Sequence, residues 1–127
     1  MIHKSIFKEV GLMKEKYFMY YDDTDFCATL IKKGIKILYN PNAILWHKVS
    51  SSSGGDNSPI YTYYANRNRL YFIDEFYVKN KYIKAKIRLL KTIQIIIYSI
   101  KGKKEHVKAL KDAMRDYNNK VTGKWGN

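Results

Sequence analysis

Three carboxylates offer the first chemistry in this chain: Asp22, Asp23 and Asp25, in the run Tyr20-Tyr21-Asp22-Asp23-Thr24-Asp25. Acids gathered where a helix begins satisfy its free N–H groups and its dipole, and that alone explains many such clusters. A second role is open to them. One carboxylate can take the proton of a hydroxyl as its oxygen attacks, while a neighbour holds the attacking molecule by hydrogen bonds. An alcohol is a weak acid, so such a base acts late, once bond formation has acidified the proton. The helix end lowers a carboxylate's pKa and aromatic walls raise it; residue types alone do not set the balance.

Arg67 is the second candidate. At helical spacing it shares a face with Tyr63, Tyr64, Leu70 and Tyr71. A charge set among rings needs a partner. That partner is either internal, as an ion pair or a cation–π stack, or it is a substrate.

The elements that must carry these groups follow from local signals. Ser5 to Val10 reads as a short helix capped by Ser5 and stopped by Gly11, and Lys14 to Tyr21 as an extended piece through the core. Asp22 or Asp23 caps the next helix. Phe26, Cys27, Leu30 and Ile31 form its apolar stripe, and Lys32, Lys33 and Gly34 close it. Cys27, in that stripe, reads as a buried thiol. Ile35 to Tyr39 alternates like a strand, Asn40-Pro41-Asn42 is a turn, and Ala43 to Trp46 is a second short strand before His47. Ser50 to Ser58 is a polar loop that could close as a lid or serve as a plain linker. Ser58-Pro59 starts a helix to about Tyr77, and two more follow near Ile83 to Ile100 and Lys104 to Asn118. The expectation is an α/β part over residues 1–57 and a basic helical tail over 58–127.

Composition narrows the field. The chain has 127 residues and a single cysteine, so no disulfide forms within it. A net charge of +13, from 24 cations and 11 acids, suits nucleic acid, anionic lipid or phosphorylated substrates. Lys, Ile, Tyr and Asn are enriched together, so compositional drift explains the charge equally well and it assigns no partner. Met1-Ile2-His3-Lys4 reads as carrying no signal peptide. No apolar run approaches the ~20 residues of a spanning helix.

The residues Val10-Gly11-Leu12 and the run Tyr17 to Cys27 resemble the signature of family 2 inverting glycosyltransferases, above all rhamnosyl- and galactofuranosyltransferase-like members. The resemblance continues through Gly34, Tyr39-Asn40-Pro41-Asn42-Ala43, Trp46-His47, Tyr63-Tyr64, Arg67-Asn68 and Gly123-Lys124-Trp125-Gly126. It implies the carboxy-terminal portion of a GT-A, Rossmann-like α/β fold. Asp23 then matches the catalytic base and Asp22, in place of the usual Glu, an acceptor-binding carboxylate. Asp25 matches a third, structural acid, and Thr29 stands where many relatives carry Arg. His47 matches a ligand of a divalent metal, Mn or Mg, whose other ligands would be a DxD pair on a nucleotide-binding half. Asp23-Thr24-Asp25 has those letters but is occupied by the base motif. Arg67 and Trp46 join the substrate-binding residues by the same resemblance. It implies a nucleotide-sugar donor, a saccharide or lipid-linked acceptor, and a chain inactive by itself for want of the donor half.

From Lys79 to Lys111 only Glu105 opposes a series of cations, and two apolar lines run along the helix from Ile83 to Ile100. Such a helix suits an anionic membrane surface or, equally, a core with a solvated basic side. The location expected is cytoplasmic, with peripheral attachment to the inner face of the cell membrane as an extension. The alternative to a transferase is a non-enzymatic basic module on membrane or nucleic acid. No nucleic-acid fold motif occurs, so nucleic acid is the less expected partner.

Overall fold

The computed structural model describes residues 2–46, 57–77 and 81–126, with residue 81 by its backbone alone. Among these described residues five α-helices follow in order: α1 Lys4–Val10, α2 Asp22–Lys32, α3 Pro59–Phe76, α4 Lys81–Ile100 and α5 Lys104–Asn118, with a 3-10 turn at Glu15–Tyr17 between the first two. Among the described residues there is no β-strand.

The expected α/β class, a portion of a GT-A, Rossmann-like fold, is therefore corrected to an all-helical arrangement. The correction falls on residues 35–46. Alternation there met the side-chain pattern of strands, but a strand also needs a neighbouring row of backbone donors and acceptors. The Ile35 N–H turns back to Leu30 O at 3.0 Å, closing α2 instead. Leu38, Leu45 and Trp46 remain 85–92% exposed, and no described segment pairs with them. The Asn40-Pro41-Asn42 turn does form: Asn40 accepts from Asn42 N through its side chain and from Ala43 N through its carbonyl.

Local signals explain the helices. Ser58 caps α3, its hydroxyl accepting from Tyr61 N at 3.0 Å, with Pro59 in the first turn. Gly34 ends α2 at φ 75°, a left-handed position that suits glycine. The start of α1 lies earlier than expected. His3, not Ser5, is its cap, and the imidazole accepts from Ser5 N at 3.4 Å.

Helix α3 is the hub: it packs on α5, and α5 on α4. One cluster joins Tyr63 and Tyr64 of α3 to Ala109 and Ala113 of α5, with Met19, Tyr20 and Trp125 against it. Small residues on α5 let it approach the tyrosine-rich side of α3. A second cluster joins Leu70 and Ile73 to Ile87 of α4. The carboxy-terminal Gly123-Lys124-Trp125-Gly126 run folds back onto this core. Trp125 stacks on Tyr63 with centroids 4.6 Å apart and planes 8° apart, and its backbone N–H donates to the Tyr64 hydroxyl at 2.8 Å. Its indole N–H reaches Asp112 at 3.2 Å.

Candidate functional site

The segment before α2 is held in an uncommon shape. Phe18, Tyr20 and Tyr21 all have positive φ, at 61°, 62° and 71°. Non-glycine residues rarely adopt this region, and each costs of order 1–3 kcal/mol that the surroundings must offset. Asn68, fully buried on α3, supplies much of that support. Its amide N–H groups reach the carbonyls of Tyr17 at 2.9 Å, Met19 at 2.7 Å and Tyr20 at 3.0 Å.

Arg67, beside it, is also fully buried. Its guanidinium donates to Lys16 O, Tyr17 O, Gly123 O, the Tyr63 hydroxyl and the Asn68 side chain, at 2.9–3.3 Å. It also sits 5.1 and 5.2 Å from the ring centres of Tyr63 and Tyr64. Of the two partners left open for a charge among rings, the contacts described are with the internal one. Arg67 ties the 16–20 segment and the carboxy-terminal run to α3, and no part of it is exposed.

An ionic network, buried at Asp25 and partly exposed at Lys14, Lys16 and Glu75, fixes the other end. Asp25, 2% exposed, accepts from the Tyr17 hydroxyl at 2.6 Å and pairs with Lys14 at 2.8 Å. Lys14 also pairs with Glu75 of α3, which binds Lys16 at 2.5 Å. Burial, reinforced by the bond to Asp25, pushes the Tyr17 hydroxyl well up. Burial works against the Lys14 charge, but Asp25 and Glu75 outweigh it and hold the ammonium above its usual value. Burial also opposes the Glu75 charge; Lys14 and Lys16 overcome that and hold the carboxyl below its usual value. Asp25 is thus a structural acid.

With the segment pinned at both ends, Asp22 and Asp23 stand at the head of α2. Neither is the helix cap; that position is held by Tyr21, which makes no side-chain capping bond. Both line a cleft of about 530 Å³, together with Tyr20, Tyr21, Thr24, Tyr61 and Ala65. Tyr20 and Tyr61 meet edge to face, 5.2 Å apart at 89°. Burial, the largest effect, raises the Tyr21 hydroxyl. Asp23 is exposed, and one of its oxygens accepts from Thr24 N at 2.6 Å and from Thr24 Oγ1 at 3.2 Å. Among the described residues no hydrogen bond engages the other oxygen. Asp23 also borders a second, apolar cleft of about 460 Å³, with Phe26, Cys27, Leu30 and Ile37 on its wall. Cys27, expected to be buried, is exposed there, because Phe26 and Leu30 take the inward positions of α2.

Carboxylates beside tyrosine rings and hydroxyls suit a polyhydroxylated ligand. The acids and phenols answer its hydroxyls, and the rings cover its C–H faces. The structure brings Asp22 and Asp23 together at this cleft. It places Arg67 in the interior and leaves Trp46 92% exposed. His47 and the polar loop through residue 56 lie outside the described residues. No group of three or more His, Cys, Asp or Glu suited to a metal ion occurs among the described residues. Asp25, committed to Tyr17 and Lys14, is not free to serve with Asp23 as a metal-binding pair. The described donors at the cleft do not by themselves make up a metal site.

Sequence reasoning gave no role to Asn68 or Tyr61. The bonds of Asn68 span 48–51 residues, and no local pattern signals them. Tyr61 lies one turn after the Ser58 cap, and its place in the cleft depends on the left-handed Tyr20 that it meets.

No family model matches the chain, and no solved structure matches it. Among curated proteins it is similar to a dTDP-rhamnosyl transferase, RfbF, of Shigella flexneri: 29% identical over 107 residues, covering 79% of this chain and 33% of that protein. It is also similar to an N-acetylglucosaminyl-diphospho-decaprenol L-rhamnosyltransferase of Mycobacterium tuberculosis, at 38% identity over 56 residues, covering 44% of this chain and 18% of that protein. The chain thus spans about a third of the length of the first relative and about a fifth of the second. At this low identity and partial coverage, the proteins it resembles are glycosyltransferases that transfer rhamnose.

Proposed function

We propose that this chain forms the acceptor side of an inverting, family 2 type glycosyltransferase, with Asp23 as the general base. The observation that carries the reading is the exposed Asp23 carboxylate on the wall of a cleft it shares with Tyr20, Tyr21 and Tyr61, in a chain similar to rhamnosyltransferases. Asp23 accepts the proton of an acceptor hydroxyl as that oxygen bonds to the anomeric carbon and the nucleotide diphosphate departs from the opposite face. Asp22 holds the acceptor through neighbouring hydroxyls, and Tyr20 and Tyr61 cover its apolar face. Arg67 and Asn68 act at a distance, by fixing the 16–20 segment that aims both acids.

The donor in this reading is a nucleotide-activated sugar, and the acceptor a saccharide or lipid-linked glycan, in keeping with the names of the relatives. Much of each relative lies outside the matched segments. We assign donor binding to such unmatched sequence, so the 127 residues by themselves bind acceptor without turning over donor.

Saccharide titration of the isotope-labelled chain, followed by nuclear magnetic resonance, tests this. Rhamnose- or N-acetylglucosamine-containing oligosaccharides are expected to give saturable shifts at Tyr20, Tyr61, Asp22 and Asp23. Shifts confined to other surfaces would remove the acceptor-side assignment. Metal-dependent transfer by the purified chain would remove the assignment of donor binding elsewhere.

A further inference from the structure

Helix α4 presents an apolar face that no described segment covers. Leu89, Leu90, Ile93, Ile96, Ile97 and Ile100 are 43–81% exposed, while Ile87 on the opposite side is buried against α3. At 3.6 residues per turn, the six exposed positions fall on one continuous side of the helix. The helix has 20 residues, about 30 Å of length. No described helix is long and apolar enough to cross a membrane.

The border of this face is basic. Lys101, Lys103 and Lys104 are exposed at its end, Lys86 is exposed within it, and Glu105 is the only acid between residues 79 and 111. Of the other cations on α4, Lys84 pairs with Asp74 of α3, and Lys91 is half-buried beside Gln94, its hydrogen-bond partner. At the end of α4, Gly102 turns the chain at φ 66° and the Lys103 N–H closes on Tyr98 O at 2.9 Å. This turn sets three lysines at one end of the apolar face.

From this arrangement we infer that α4 docks flat on an anionic lipid surface. Its isoleucines and leucines enter the boundary between headgroups and acyl chains, and the lysines meet the phosphates. Charge selects this occupant over a second copy of the chain, because pairing two such faces would bring like-charged rims together, whereas an anionic bilayer offers the opposite sign. Lys86 sits within the apolar face, where a lysine can bury its stem and keep its ammonium among the headgroups. The inference is independent of the transferase reading and stands or falls on a different measurement.

Co-sedimentation of the 127-residue chain with lipid vesicles is that measurement. At low salt the chain is expected to pellet with phosphatidylcholine vesicles containing about 30% phosphatidylglycerol, not with phosphatidylcholine alone, and to be released above ~0.5 M salt. The Ile93→Asp, Ile97→Asp pair should weaken partitioning by about 100-fold or more. Replacing Lys101, Lys103 and Lys104 by Gln should weaken it on the order of 100-fold. All five positions are exposed, so circular dichroism should show unchanged helix content in both variants. Absence of wild-type binding, equal binding to neutral vesicles, or unchanged binding by either variant would overturn the proposal. A soluble dimer that Ile93→Asp dissociates, without vesicle binding, would overturn it in favour of a second copy.

Discussion

The side-chain amide of Asn68 donates to the carbonyl of Tyr20 at 3.0 Å, two residues before Asp22. Through this bond and its companions to Tyr17 and Met19, a residue of α3 sets the backbone from which α2 and its acids begin. Asn68→Ala removes the donor to Met19 O and Tyr20 O, next to residues of positive φ, while Tyr17 O keeps Arg67 and the Met19 N–H. The expected loss is about 2–3 kcal/mol of stability, read as a lower urea midpoint at constant slope. The variant should also lose the saccharide-induced shifts at Asp22 and Asp23 while keeping both carboxylates.

Arg67→Lys is expected to behave as a severe change despite the conserved charge. A planar guanidinium serves Lys16, Tyr17, Gly123, Tyr63 and Asn68 at once; a single ammonium has three donors at one point. A loss of about 2–4 kcal/mol is expected in urea denaturation, since the site is fully buried and several acceptors would go unpaired. If Arg67 instead contacted substrate in solution, Arg67→Lys would fold as stably as the parent and fail only in ligand binding.

How much of this was legible beforehand depended on the range of the signal. Gly34 at the end of α2, the Ser58 cap, and α5 from Lys104 to Asn118 rest on contacts within a few residues, and all are found where the sequence placed them. The pairing of Asp22 and Asp23 at one helix head was legible for the same reason. Residues 35–46 were misread because period-two alternation states which way side chains point, not whether a partner strand exists. The function of Asn68 and the burial of Arg67 hang on carbonyls about 50 residues distant, set by the approach of α3 to the 16–20 segment.

The network around Glu75 predicts a pH dependence. Its folded carboxyl is held below the ordinary value of 4.5 by Lys14 and Lys16, against the opposing effect of burial. A depressed carboxyl contributes stability that is present above the unfolded value and lost as pH falls through the folded one. The chain should therefore lose stability below about pH 4.5, and Glu75→Gln should flatten that acid limb; the effect is modest because these groups are about one-third exposed. At the alkaline end the sign reverses. Lys14 is held above 10.5, and burial with the bond to Asp74 pushes Tyr117 from 10.0 up to about 12. Their stabilisation is full below the unfolded values and fades as pH rises through the folded ones. Urea midpoints from acidic to strongly alkaline pH, for parent and Glu75→Gln, check both limbs.

Whether the Asp23 carboxylate deprotonates the acceptor is decided by turnover of Asp23→Asn, with Asp22→Asn beside it, measured with the chain joined to the unmatched part of a rhamnosyltransferase relative. Asp23→Asn should lower kcat by about 10²–10⁴-fold with little change in acceptor KM, while Asp22→Asn chiefly raises acceptor KM. An Asp23→Asn enzyme that keeps kcat within a few-fold of the parent would rule out Asp23 as the base.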